Sequence, residues 1–318
     1  MPHHPFRFGV VAETFNTAED WRALACRVEA LGYDTLLIRD HLVSDVFGRQ
    51  LAPLVALMAA ADATTTLRVG TLVIGNDFRH PTVLAKEAAT LDLLSGGRFE
   101  LGLGAGWMRA EYDRAGLRYD RNGVRVDRLE ESIAILKACL AGGQVTFTGE
   151  HYRLDGFEPW PLPVQRPHLP LLIGAGAPRM LAMAGRHADI VSILTTSVNT
   201  GTVTDDPALR RSAVLDERIG YIRSGAGDRF AEIELSLVPN IHITDDRHGE
   251  AERLIAEHRW ANTSVADVFD MPAIYIGTID EIRAQMVDRR DRHGISYYAL
   301  DDAAMEAAAP IVERLRGT

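Results

Sequence analysis

The chain is expected to fold as an α/β protein of the (β/α)8 TIM barrel class, and three observations predict it. Short, mostly apolar runs start at residues 6, 35, 67, 99, 171, 190, 233 and 295, eight in all, and each leads into a helical pattern. The length, 318 residues, suits a barrel that forms a single domain over residues 1–318. The stretch LRVGTLVIGNDFRHPTVLAKEAATLDLLSGGRFELGLGAGW, Leu67 to Trp107, reads as one complete strand-helix-strand unit. A right-handed crossover of that kind makes its two strands parallel and brings their C-terminal ends to one edge of the sheet. A doubly wound open sheet is the alternative, distinguished by a reversal of strand order that only pairing can reveal.

The elements follow in order. Phe6 to Val11 is a strand, Thr17 to Leu31 an Ala-rich helix stopped by Gly32, and Thr35 to Ile38 a strand ending in Arg39-Asp40-His41. Pro53 to Thr64 is a helix opened by proline. In the central unit, Leu67 to Ile74 and Phe99 to Leu103 are strands buried on both faces. Between them Pro81 opens a helix with Leu84, Ala88, Leu91 and Leu94 on one face, and Ser95-Gly96-Gly97 ends it. Trp107 to Gly123 is a charged, aromatic loop, Val124 to Leu140 an amphipathic helix, and Gln144 to Asp155 a hairpin about Gly149-Glu150. A connector with five prolines, Pro159 to Pro170, leads to a shorter copy of the central unit from Leu171 to Leu194. Thr195 to Pro207 is a polar, mobile loop; Leu209 to Ser224 a helix; Ile233 to Thr244 a strand; Glu250 to Arg259 a helix. A less regular piece runs to Tyr275, and Asp280 to Arg292, Ile295 to Leu300 and Ala303 to Arg316 close the chain as helix, strand and helix. Insertions therefore follow strands four, six and seven.

Composition narrows the function. Lys and Arg number 34 against 44 Asp and Glu, a net charge of −10 that disfavours nucleic acid and anionic membrane as partners. With 47% hydrophobic residues and no run long enough to span a bilayer, the chain reads as a cytoplasmic protein acting on small molecules. MPHHPFRF lacks the apolar core of a signal peptide, and His3 and His4 belong to a frayed terminus. Cys26 and Cys139 are packing residues, and no His, Cys or carboxylate spacing makes a metal site.

Candidate chemistry lies at strand ends. His41 after the second strand is either a general acid or base beside the Asp40 carboxylate or a loop histidine bonded to a carbonyl. Gly174-Ala175-Gly176-Ala177-Pro178 joins the fifth strand to a helix; it is an anion site built from backbone N–H groups or simply a tight turn. Glycines 102, 104 and 106, with Gly75, give a bulky planar ligand room against the backbone. Gly102-x-Gly104-x-Gly106 is not a dinucleotide fingerprint, because no helix opens at once behind it. Arginines 109, 114, 118, 121, 125 and 128 either hold an anionic tail or line a solvated helix with acidic partners.

The runs LIRDHL, VGTLVIGNDFRHPTVLAKEAATLDLLSGGRFELGLGAGW and LPLLIGAGAPRMLAMAGRHADIVSI resemble the bacterial-luciferase-like superfamily, and more narrowly its coenzyme F420-dependent oxidoreductases, over roughly residues 6 to 300. The resemblance implies a barrel with insertions, often a homodimer, that moves a hydride between deazaflavin and a small organic substrate. FMN-dependent monooxygenases using O₂ and non-catalytic flavin-binding relatives are the alternatives within the superfamily. It also implies a bulge with a non-prolyl cis peptide at Leu72-Val73, Gly75 and Asn76 beside the cofactor ring, Asp40 at its polar end, and His41 near the hydride-bearing carbon. Trp107 follows the strand-four glycines, and the turn Gly174-Ala175-Gly176-Ala177 would hold the phosphate, with Gly176 and Ala177 as donors and Thr195 as helper. Two departures stand out: sugar-phosphate dehydrogenases of this branch carry a Glu proton donor where this chain has Trp107, with Glu111 displaced, and they use lysines in a phosphate pocket. Lys86 and Lys137, the only lysines, fall on helices, so an aromatic or apolar substrate is expected.

Overall fold

A computed structural model describes residues 4–199 and 202–318; His3 and the centre of the loop expected over 195–207 lie outside the described residues. In chain order the elements are β1 (Arg7–Val11), α1 (Ala18–Ala30), β2 (Thr35–Ile38), α2 (Pro53–Ala63), β3 (Arg68–Thr71), β4 (Ile74–Gly75), α3 (Pro81–Leu94), β5 (Phe99–Gly104), α4 (Arg109–Ala115) and α5 (Asn122–Ala141). There follow β6 (Val145–Thr148), β7 (Arg153–Phe157), β8 (Leu171–Ala175), α6 (Pro178–His187), β9 (Ile190–Ile193), β10 (Ser197–Asn199), β11 (Thr202–Thr204) and α7 (Ser212–Ala226). The chain ends with β12 (Glu234–Leu237), β13 (Asn240–Ile243), α8 (Arg247–His258), α9 (Val265–Phe269), β14 (Ile274–Gly277), α10 (Ile279–His293), β15 (Ile295–Asp301) and α11 (Met305–Leu315).

Two compact units divide these elements. In the unit made of Ala12–Glu29 and Thr35–Gly174, β2, β3, β5 and β8 pair in parallel in that order, with β4 continuing the β3 edge along β5. In the unit made of the residues up to Val11, Ala30–Asp34 and Ala175–Thr318, β9, β12, β15 and β1 pair in parallel in that order. Sheet neighbours thus follow chain order with no reversal, which removes the doubly wound alternative; the fold class is a (β/α)8 barrel. The barrel strands are buried along nearly their whole length, as expected of parallel strands covered by helices on one face and by interior side chains on the other.

Several helix boundaries have local causes. Pro53, Pro81 and Pro178 stand at first helical positions, where a missing N–H is no loss. Thr278 and Glu281 form a reciprocal capping box that starts α10, and Gly294 at φ 77° ends it.

The third strand breaks between β3 and β4 at Leu72-Val73, whose peptide bond is cis, as the resemblance implies. Four stretches differ from the sequence-based expectation. The strand expected over 233–244 is two, because Pro239 has no N–H to extend a ladder; β13 leaves the barrel strands and pairs with β14. β14 itself is hidden in the sequence, since four apolar residues carry no period that distinguishes strand from helix. Around it, Ala251, Leu254, Trp260, Val268, Met271, Ile274 and Ile276 make a small core of their own, so the insertion after β12 is a packed substructure. The loop after β5 contains α4, and the stretch expected as a plain mobile loop after β9 contains the antiparallel pair β10–β11.

Candidate functional site

In the first of the two units, the C-terminal ends of β2, β3 and β5 gather most of the residues singled out from sequence. Leu72 donates its N–H to the Ile38 carbonyl at 2.8 Å, tying the bulge to the end of β2. Thr71 Oγ1 donates to the Gly102 carbonyl at 2.9 Å and accepts from the Gly102 N–H at 2.8 Å, tying it to β5. Val73 then fills the space over three glycines: a Cβ on Gly104 would lie 2.7 Å from Val73 Cγ2, and Cβ atoms on Gly102 and Gly174 would lie 3.2 and 3.3 Å from Val73 Cγ1. On Gly102 a Cβ would also stand 1.8 Å from the Thr71 carbonyl oxygen. A Cβ on any of these glycines, or on Gly75 against the Phe78 ring, would meet the chain itself.

Asp40 is buried, and its carboxylate accepts from Arg79 at 2.5 Å and from the Gly75 N–H at 3.2 Å. It fixes the residue that follows the bulge. Arg79 was not singled out from sequence; its signal is only that it follows the bulge closely enough to reach back. Asn76 is 1% exposed, and neither polar atom of its side chain has a hydrogen bond of ordinary geometry. It neighbours Tyr152 of β6–β7's turn, whose phenol is pushed up by burial and pulled partly back by Asn76.

His41 is the chemical centre of this unit. Its Nδ1 lies 3.0 Å from Oε1 of Glu111, a carboxylate on α4 that is 2% exposed. The imidazole stacks on Phe47 at 4.8 Å and meets Trp107 edge-on at 6.0 Å. An open cleft of about 450 Å³ borders the ring, with Leu42, Ser44, Arg49 and Gln50 among its walls. A loop histidine bonded to a backbone carbonyl, the second reading left by the sequence, is not what the structure shows. Phe47 escaped the sequence reading because nothing in a polar loop marks which aromatic folds back.

Four of the six arginines between 109 and 128 have acidic partners. Arg128 donates to Asp77 at 2.8 Å and to Asp120, Arg118 pairs with Asp120 at 2.7 Å, Arg114 with Asp45 at 2.8 Å and Arg109 with Asp113 at 3.3 Å. Arg125 is buried and donates to the carbonyls of Ala105, Gly106 and Asp120. Their charge stabilises the loop after β5.

In the second unit, β8 ends in Ala175 and the turn through Gly176 and Ala177 enters α6. Ala177 stands at the cap position with φ −89° and ψ 149°, is exposed, and gives no side-chain cap hydrogen bond to the start of the helix. Leu194 donates to the Ala175 carbonyl at 2.8 Å, and a Cβ on Gly176 would lie 3.1 Å from Leu194 Cβ. Thr195 is the next residue in the chain. Uncapped N–H groups behind glycine and alanine fit a phosphate. Among the described residues no group of side chains could hold a metal ion, and no helix is long and apolar enough to cross a membrane.

Comparison with known proteins agrees with this arrangement. The F420-dependent glucose-6-phosphate dehydrogenase of Nakamurella multipartita is 33% identical over 82% of this chain and 74% of its own length. The coenzyme F420-dependent tetrahydromethanopterin reductase of Methanopyrus kandleri superposes with a TM-score of 0.74 at 19% identity, covering 98% of this chain and 99% of that one. A monooxygenase from Streptomyces bottropensis does so with a TM-score of 0.71 at 22% identity, covering 96% of each chain. The luciferase-like monooxygenase family matches residues 4–296, and the chain belongs to that family.

Proposed function

We propose that the chain is an F420-dependent oxidoreductase that moves a hydride between the deazaflavin and a small organic substrate. The observation that carries the reading is His41, held at the end of β2 by Glu111 and walled by Phe47 and Trp107. A histidine so placed can take up or release a proton while a carbon beside it gains or loses hydride. The name of the relative from Nakamurella multipartita supports F420 as the cofactor. Gly176 and Ala177 would hold its phosphate with Thr195 beside them, Leu72, Val73, Gly75 and Asn76 would shape the ring's bed, and Asp40 with Arg79 would keep that bed in place. When bound, deazaflavin accepts or donates a hydride at carbon and does not activate O₂.

The substrate is proposed to be apolar or aromatic and not a sugar phosphate. Trp107 and Phe47 flank His41, while Lys86 and Lys137 lie on α3 and α5. A second reading, an FMN-dependent monooxygenase, is favoured by the family match and by the Streptomyces bottropensis monooxygenase. The proposal extends to one barrel domain acting as a cytoplasmic homodimer. Titration of the purified protein with F420, FMN and FAD tests it: tight binding of F420 alone is expected, and tight FMN binding with no response to F420 would transfer the assignment to the monooxygenase reading.

A further inference from the structure

We propose that Glu111 is a positioning residue that fixes the tautomer of His41, so that Nε2 is the nitrogen that exchanges a proton with the substrate. The inference rests on the reading of His41 as proton partner, and it adds the atom and the group that selects it.

Glu111 Oε1 accepts the backbone N–H of Leu42 at 2.7 Å and lies 3.0 Å from His41 Nδ1. An amide N–H can only donate, so this oxygen is an acceptor in place, and an ionised carboxylate can only accept. The partner nitrogen must therefore carry the proton, and the neutral ring holds its lone pair on Nε2. The hydrogen bond is not open to easy exchange, since Glu111 is 2% exposed and the His41 side chain is 10% exposed. A ring flip would present a C–H to the carboxylate, and the stacked Phe47 and edge-on Trp107 confine the ring plane.

The surrounding charges do not compete. Asp40, next in the chain, is paired with Arg79. Asp45 from the loop and Arg114 from α4 pair with each other at 2.8 Å, and Arg49 stands on the wall of the adjoining cleft. Glu111 is the carboxylate that meets the ring. For oxidation of a hydroxyl-bearing carbon the O–H bond would break with its proton bonding to Nε2, and the C–H bond would break with its electron pair leaving as hydride, for which the deazaflavin of the proposed function would be the acceptor; a carbonyl would form. The imidazolium left behind faces the Glu111 carboxylate. Reduction of a carbonyl runs the same steps backwards.

Leu42 also supplies the means of testing this. Its fixed N–H demands an acceptor, so Gln in place of Glu111 should keep its amide oxygen towards Leu42 and His41, whereas Ala removes the acceptor. The experiment is long-range ¹H–¹⁵N correlation of the histidine rings in ligand-free protein, with His41→Ala assigning the His41 signals, above the pH at which the ring titrates. The expected result is the Nδ1–H tautomer in the parent and in Glu111→Gln, and the Nε2–H form favoured by free histidine in Glu111→Ala. Turnover should fall by at least about tenfold in Glu111→Ala, up to the 10² to 10⁴ that a positioned base is typically worth, and Glu111→Gln should restore most of it. In a His41→Ala background the Glu111→Ala change should have no further effect on kcat. An Nε2–H tautomer in the parent would overturn the proposal. So would a Glu111→Ala loss of equal size with and without His41, which would mark a purely structural residue. The ring signals need no cofactor, so an Nδ1–H tautomer in a protein that ignores F420 would leave the Glu111 assignment standing and remove the cofactor reading.

Discussion

Replacing Ala177 with Glu isolates the phosphate turn. Ala177 is exposed and precedes a proline that has no N–H, so the new side chain meets no core and the fold has no reason to change. Gly176 would be a poorer choice, because a Cβ there already stands 3.1 Å from Leu194 Cβ, and its enlargement would mix packing with binding. At the N-terminus of α6 a carboxylate interacts favourably with the helix dipole, by about 0.3 to 1 kcal/mol, and can occupy the same N–H groups that a phosphate would use. Each charge-assisted hydrogen bond denied to the phosphate is worth about 1.5 to 3 kcal/mol. At about 1.4 kcal/mol per decade, losing one weakens binding about tenfold to a hundredfold, and repulsion between the two anions adds to that. Fluorescence titration with F420 measures the affinity, and a thermal melt of the free variant checks that Tm is unchanged or slightly raised. F420 affinity within twofold of the parent, with Tm intact, would refute the assignment of phosphate to this turn.

Three further outcomes follow from the same geometry. His41→Ala should hold F420 within a few fold while turnover on a substrate found by screening drops by about 10² to 10⁴; parent-like turnover would reduce His41 to a ring-packing residue. Gly102→Ala should destabilise by about 1 to 3 kcal/mol or more in urea denaturation, because its Cβ would stand 1.8 Å from the Thr71 carbonyl; a midpoint equal to the parent's would show that the bulge yields freely. Burial alone would raise the Glu29 carboxyl, but the N–H groups of Thr66, Leu67 and Thr65 bring it down to about 2 from 4.5. A depressed carboxylate stabilises above its unfolded value and loses that contribution as pH falls through its folded one. Glu29→Gln should therefore remove about 1 to 2 kcal/mol at neutral pH, a figure reduced for its partial exposure, and should flatten the decline in stability between pH 4.5 and 2. An unchanged acid limb in chemical denaturation would contradict this.

Much of the barrel is legible in the sequence because parallel strands and their helices differ in period and are punctuated by glycine and proline. Each of the eight strand starts lies within a residue of its observed position. What escapes is decided by tertiary contact. Asp40 and Arg79 are 39 residues apart, and nothing local marks them as a pair. β13 and β14 are separated by α8 and α9, so their pairing leaves no trace in either short segment. For the glycines, residue type shows that space is needed at 102, 104 and 174 but not which atoms of the chain lie nearest, the Thr71 carbonyl at 102 and Val73 at 104 and 174. His41 is visible as a strand-end histidine, while its partner Glu111 is not, because the spacing of 70 residues is set by how α4 is seated.

That seating explains the charged segment after β5, which sequence left between two readings. Gly106 at φ 75° turns the chain, and a Cβ there would stand 1.9 Å from the Tyr112 hydroxyl, so the phenol packs directly under the turn. Tyr112 is fully buried and donates to Asp77 at 3.1 Å; Asp77 is held by Arg128, and Arg128 also grips Asp120 at the far end of the loop. Arg125 draws in the carbonyls of Ala105, Gly106 and Asp120 from the other side. A short helix of seven residues has little stability of its own, and here it is clamped at Tyr112, immediately after Glu111. Arg125 and Arg128 thus hold in place the turn that aims one buried carboxylate at His41. Trp107 takes the position after the glycines, and the acidic group reaches the histidine from one helical turn further on.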